Sequence, residues 1–263
     1  MVKQTVGALA GVLALAVVAL AGCGGGAATC GWLGSVKGMG AQNQQVVMTV
    51  PPTFTGADLL VAATADDGPD TVPGGGFTSP TTALLGGTSG LKWTRLARVS
   101  ARHDVALPGD RLDQYGASST ELWEAIPPAG WRGTGKTITE ISSHPRASDD
   151  GHAVVVSAYA NGTVNQTAVA DGLGGRGAER LTRNVPAGSA VYLSALEGRV
   201  KAHFLPTARS HNSIQRRAGD DTMGVVASNS RALPAGPFTI GQRGDPGAYW
   251  EEAMVVVSPT RSP

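Results

Sequence analysis

Residues 58–65 read Asp58-Leu59-Leu60-Val61-Ala62-Ala63-Thr64-Ala65, and Asp66-Asp67-Gly68-Pro69 follows at once. Successive side chains of a strand point to opposite faces, so Leu59, Val61, Ala63 and Ala65 share one side of an extended chain. The Asp-Asp-Gly-Pro sequel has turn chemistry and predicts that the strand stops there. A second stretch, Ala153-Val154-Val155-Val156-Ser157-Ala158-Tyr159, is apolar in both phases and predicts a strand buried on both sides.

Outward from these two, short apolar runs alternate with turn-rich loops. Gln45–Val50 ends at Pro51-Pro52, and Leu91–Ser100, Thr120–Ile126 and Thr137–Ser142 follow. Beyond the valine strand comes a Gly-rich loop, then Ala190–Leu196, Thr222–Ala227, Phe238–Gln242 and Trp250–Val257. Helical periodicity is absent beyond one turn at Ser213–Arg217. With 37 Gly and 16 Pro in 263 residues, about ten short strands between turns predict an all-β fold, an antiparallel β-sandwich of jelly-roll type. No repeat stands out, and residues 45–263 read as one domain.

Lys3 precedes an uncharged stretch from Thr5 to Leu20, too short for a comfortable membrane span. A charged start, an apolar middle and small residues at the end make a secretory signal over residues 1–22. The segment closes with Leu20-Ala21-Gly22-Cys23, which resembles the lipobox of bacterial lipoproteins; the resemblance implies cleavage before Cys23 and acylation of its sulfur. The alternative is ordinary cleavage after Ala21, which leaves Cys23 a plain thiol able to close a small loop with Cys30. Residues 23–44 are small and Gly-rich and read as a tether, with Trp32 and Leu33 its only bulky residues.

Charge and motifs narrow the function classes. A net charge of +1 with no long run of one sign argues against nucleic acid as a partner. Gly130-Trp131-Arg132-Gly133-Thr134-Gly135-Lys136-Thr137 fits the phosphate-binding loop pattern letter for letter. That chemistry needs a strand before and a helix after. Here Pro127-Pro128 precedes and a β-rich run follows, so a hairpin turn is the expected structure. The acidic pairs Asp66-Asp67 (with Asp70), Asp149-Asp150, Asp220-Asp221 and Glu251-Glu252 could ligate calcium, but Asp beside Gly or Pro makes turns, and turns are expected. His103, His144, His152, His203 and His211 show no metal-ligand spacing, and no Gly-x-Ser-x-Gly elbow occurs. No catalytic residue, metal or cofactor is expected. Asn161-Gly162 predicts a turn after the valine strand. Trp93 and Trp123 lie within strand patterns and read as core. Trp131, in a Gly-rich turn, and Tyr249-Trp250, at a strand entrance, are the ligand candidates, since a sugar's C–H face stacks on an aromatic ring.

The order of segments is similar to that of a β-sandwich module of secreted actinobacterial and phage-tail proteins. The matching stretches are Gly56–Ala62, Asp67–Pro69, Leu91–Arg98, Thr120–Trp123, Ala153–Tyr159 and Trp250–Val257. The resemblance implies a jelly-roll-like sandwich, often beside adhesive or carbohydrate-active domains, and no established activity. The inserts Thr71–Gly90 and Ala101–Ser119 depart from it. The expectation is therefore a non-enzymatic module on the extracytoplasmic side of the envelope, held to the membrane by lipid on Cys23. It would bind glycan through Trp131, Tyr249 and Trp250; the alternatives are protein contacts at a cell surface or phage particle, or an unrecognised hydrolase.

Overall fold

A computed structural model describes residues 29–40, 45–69, 83–99, 119–142, 149–173, 178–197, 203–205, 210–218, 221–243 and 249–260. They form sixteen strands and one short 3-10 turn, Pro52–Phe54. Among them no helix is long and apolar enough to cross a membrane.

The first eight strands are β1 (Gly31–Gly40), β2 (Val46–Thr49), β3 (Leu59–Pro69), β4 (Ala83–Gly86), β5 (Thr94–Val99), β6 (Ser119–Ala125), β7 (Thr137–Ser142) and β8 (Asp149–Ala160). They build a five-stranded sheet, β1-β8-β3-β6-β5, and a three-stranded sheet, β2-β7-β4. The next eight are β9 (Gly162–Leu173), β10 (Ala178–Val185), β11 (Ser189–Glu197), β12 (His203–Leu205), β13 (Ser210–Ala218), β14 (Asp221–Leu233), β15 (Gly236–Arg243) and β16 (Tyr249–Pro259). Their sheets are β9-β16-β11-β14-β13 and β10-β15-β12. Within each set of eight the order is the same: first, eighth, third, sixth and fifth in one sheet, second, seventh and fourth in the other. All pairings are antiparallel. The chain is thus two jelly-roll units of identical topology.

The unnoticed repeat is present in the sequence once the strands are matched. Val46-x-Met48-x-Val50-Pro51 corresponds to Leu181-x-Arg183-x-Val185-Pro186, Pro128-Ala129-Gly130 to Pro234-Ala235-Gly236, and Ala153-Val154-Val155-Val156 to Ala253-Met254-Val255-Val256. The offset drifts because residues 70–82 and 100–118 of the first unit have the much shorter counterparts 198–202 and 219–220.

The four sheets stack as layers, with the two five-stranded sheets in the middle. Leu59, Val61, Ala63, Leu122, Val155 and Tyr159 meet Ala190, Tyr192, Val255 and Val257 in a central core between the units. Leu60, Ala62, Val154, Val156 and Ala158 turn the other way, against Val46, Met48 and Ile138. Val191, Met254 and Val256 face Leu181, Val185 and Ile240 in the second unit. Strands of the middle sheets are therefore buried on both faces, which is why Leu59–Ala63 and Ala153–Tyr159 are apolar at nearly every position.

In the stack β3 lies over β11, β5 over β9, and β8 over β13 and β14. Third strand meets third strand, while the lateral orders run oppositely. Equivalent strands end together: β8 passes through Asn161 into β9, whose Gly162 pairs with Pro259 at the end of β16. A rotation of half a turn about an axis parallel to the strands produces this arrangement, so the units are related as the halves of an isologous dimer. A hydrogen-bond relay crosses between them. Trp32 Nε1–H donates to Ser35 Oγ (3.2 Å), Ser35 and Ser157 share a hydroxyl contact (2.5 Å), and Ser157 Oγ–H donates to Tyr192 Oη (3.0 Å). Tyr192 in turn donates to the Val155 carbonyl (3.2 Å).

Several expectations need correcting. Strands number sixteen rather than about ten. The tether is not a tether over its second half: Gly31–Gly40 is β1, paired along β8. Its glycines hid it, and packing requires them, since a Cβ on Gly38 would run into Val46 and one on Gly40 into the His152 ring. Trp32 and Leu33 pack onto the central and outer cores respectively. Asp66–Pro69 does not end β3, because those residues keep pairing with 149–152 of β8. The loop after the valine strand is β9 and β10, and Ser213–Arg217 lies in β13 instead of a helical turn. Asn161 does make the expected bend, at φ 55, with its N–H donating to Asp58 Oδ2 (2.8 Å) and its carbonyl accepting from Thr260 (2.8 Å).

Candidate functional site

Antiparallel strands fix two ends of the stack. One end carries Cys30, Asn161 and the loops 87–93, 126–136, 186–188 and 234–235. The other carries the connections out of β1, β3, β5 and β7 and their counterparts in the second unit.

The sequence-predicted site residues are not brought together. Cys23 lies outside the described residues. Trp131 sits in the loop before β7, half-buried against the outer core, with Nε1 donating to the Ser89 carbonyl (2.9 Å). The loop backbone is tied to Val50 through Gly135 N–H (3.0 Å) and Lys136 O (2.8 Å). Gly133 must be glycine because the Trp131 indole occupies the space of its missing Cβ. Trp250, half-exposed, and Tyr249 open β16 opposite Gly172 and Leu173, at the other end of the strands. Eight pairs of the β11–β16 ladder separate Trp250 from the end near Asn161, a rise of roughly 25 Å. Trp131 and Trp250 therefore belong to opposite ends and share no face. Trp93 and Trp123 pack against the outer core as expected.

The loop that matches the phosphate-binding pattern leads into strand β7, where a helix would have to begin. It is not a hairpin turn either, for β6 and β7 belong to different sheets. The acidic pairs are strand residues and not turns: Asp66-Asp67 lies in β3, Asp149-Asp150 beside it in β8, and Glu251-Glu252 in β16. Asp221 begins β14, while Asp70 and Asp220 lie outside the described residues. Among the described residues no three His, Cys, Asp or Glu converge to hold a metal ion.

What the sequence reading missed is a polar belt enclosed between β3, β6, β8 and β7. His152 Nδ1 bonds Glu140 Oε2 from the covering sheet; His152 is 1 % exposed and Glu140 0 %. Asp66, also buried, is the cross-strand partner of both His152 and Ser119. Next along β6, buried Glu121 faces Arg98 Nε (3.4 Å) and Arg95 Nη1 (3.7 Å), and the Arg95 guanidinium lies 5.6 Å from the centre of the Trp123 ring. The signal was available in outline: His152 keeps the two-residue step of Val154 and Val156, and Glu140 that of Ile138, which places both on buried faces. Buried charges are tolerated when paired, and this belt ties the first unit's two sheets together at one end.

Cys30 joins the units at the opposite end. Its N–H (3.1 Å) and Sγ–H (3.0 Å) both donate to the Gly188 carbonyl. It is a free, buried thiol, and burial raises it from an ordinary 9.0 to about 11. The unfolded thiol ionises near 9 and the native one only near 11, so unfolding releases a proton in between and stability falls as pH rises through that window. Thiol reagents at pH 8 are expected to leave native Cys30 unmodified and to label it on addition of urea; rapid labelling of the native chain would contradict this packing.

The outermost strand β9 bonds β16 on one side and no other strand among the described residues on its second side. An extra residue at Asn165 bulges it, after which Gln166–Leu173 runs regularly. Those eight residues contain neither Lys nor Pro, the usual devices that blunt a sheet edge. By contrast the edge strands β5 and β13 each carry two arginines, and β1 carries Lys37.

Compared with family models, with curated proteins and with solved structures, the chain gives no match.

Proposed function

We propose that the chain is an exported module of the bacterial envelope, held to the membrane by lipid on Cys23, that works by binding a protein partner and carries out no catalysis. The observation that carries this reading is the β9 edge, which no strand among the described residues covers and where an extended segment of a partner could add as a further strand by main-chain hydrogen bonds. Enclosure of the polar belt supports the non-catalytic part, since His152, Glu140, Asp66 and Glu121 lie inside the sandwich, away from any substrate. The resemblance in segment order to secreted actinobacterial and phage-tail β-sandwich modules is consistent with the surface role. Glycan binding by Trp131, Tyr249 and Trp250 acting together is disfavoured by their placement at opposite ends of the strands.

The test compares the full chain with a Thr167→Lys, Val169→Lys variant for retention by an envelope-protein fraction and by insoluble cell-wall polysaccharide. Val169 is 48 % exposed, so the variant should keep its stability within about 0.5 kcal/mol. Retention by protein that the lysines abolish is the expected result. Retention by polysaccharide, indifferent to the lysines, would replace this reading with the glycan one.

A further inference from the structure

Taking Cys23 as the lipid-bearing residue, we propose that the end of the stack formed by loops 87–93 and 126–136 rests on an anionic lipid surface, with Ile126 and Trp131 at the interface and Lys92, Arg132 and Lys136 against headgroup phosphates.

Chain length sets the geometry. Cys30 is the seventh residue after Cys23, a reach of at most about 25 Å. Cys30 is held at one end of the stack by its bonds to Gly188. Strands β8 and β9 are each twelve residues long, so the opposite end stands roughly 40 Å away. The Cys30 end is therefore the end held within reach of the bilayer. Ile126 follows the last residue of β6, three strand positions from β1 in the same sheet, about 14 Å across.

Surface composition at that end fits a lipid partner. Ile126 is 71 % exposed, the most exposed large apolar side chain among the described residues. Pro52, Pro128, Ala129, Pro186, Ala187, Pro234 and Ala235 are exposed around it. Lys92, Arg132 and Lys136 are exposed on the two loops, and the half-buried Trp131 indole, its N–H held by Ser89, sits in the same loop as Ile126. The carboxyl groups nearby are Asp58, which accepts the Asn161 N–H, and Glu124, which burial makes harder to ionise.

The experiment uses the full chain, purified from membranes, with an environment-sensitive thiol dye placed at Ile126→Cys or, separately, at Val47→Cys on the outer face of the covering sheet. Native Cys30 is buried and stays unlabelled. Vesicles are phosphatidylcholine alone or mixed with phosphatidylglycerol. The expected result is flotation with both vesicles, and a brighter, blue-shifted dye at position 126 only, more so with phosphatidylglycerol. A Lys92→Glu, Arg132→Glu, Lys136→Glu variant should lose that increment. Flotation with an unchanged dye at 126, or an equal change at 47, overturns the lipid-facing surface and leaves the anchor standing. Failure to float overturns both.

Discussion

Residues 29–160 expressed alone should fail to persist as a monomer. The face that β3, β6 and β8 turn to the second unit carries Leu59, Val61, Leu122, Val155 and Tyr159, each at most 2 % exposed in the whole chain. Uncovering them forfeits on the order of 10 kcal/mol of apolar burial, at about 2 kcal/mol for each large side chain. That equals the entire stability of an ordinary domain. Ser157 would also lose Tyr192 as acceptor. Because the units are related by a near two-fold rotation, a second copy could cover the exposed face in the orientation of the second unit, and a dimer is the soluble outcome expected, with aggregation the other. Light scattering on the purified fragment decides it. A monomer that unfolds cooperatively would show that the central core is dispensable to the first unit.

His152→Ala should be the most damaging single substitution in the polar belt. It strands the Glu140 carboxylate in a fully buried position and opens a hole above Gly40. Removing one member of a buried charged pair costs about 3–5 kcal/mol. Glu140→Gln keeps a hydrogen-bond acceptor for the ring and should cost only about 1–2 kcal/mol. In the second unit one of the two positions is apolar and the other is not, for buried Glu252 precedes Ala253 where His152 precedes Ala153. Ile240, two residues beyond Phe238 on β15, occupies the position of Glu140, two beyond Ile138 on β7. A Glu140→Ile, His152→Leu double variant should recover most of the loss, since apolar replacement of both partners is often neutral or better. Urea unfolding followed by tryptophan fluorescence measures all three. A loss below about 1 kcal/mol in His152→Ala would mean that water reaches Glu140, contrary to the enclosure described.

The fold class was legible because strands of the middle sheets are apolar on both faces; β7 was read with its observed bounds, Thr137–Ser142, and β3, β8 and β16 with their cores in place. The strands overlooked obey other constraints. β1 uses glycine where neighbouring side chains press in, β9 is an edge strand that mixes Thr, Asn, Gln and Asp with small apolar residues, and β10 has only Ala178, Leu181 and Val185 apolar among its eight residues. Losing these strands also lost the ends of the molecule. Successive antiparallel strands reverse direction, so the end to which a loop belongs depends on counting every strand before it. With ten strands in place of sixteen, nothing in the sequence could separate Trp131 from Trp250.

Asn161 alone connects the two units, a single residue between β8 and β9. Two separate jelly rolls meeting through the same core would come apart as they were diluted, and their stability would depend on their concentration. Joined by one residue, they meet at an effective concentration that dilution does not change. The chain therefore keeps its central core whatever its abundance. The second copy is also free to diverge, as Ile240 in place of Glu140 indicates.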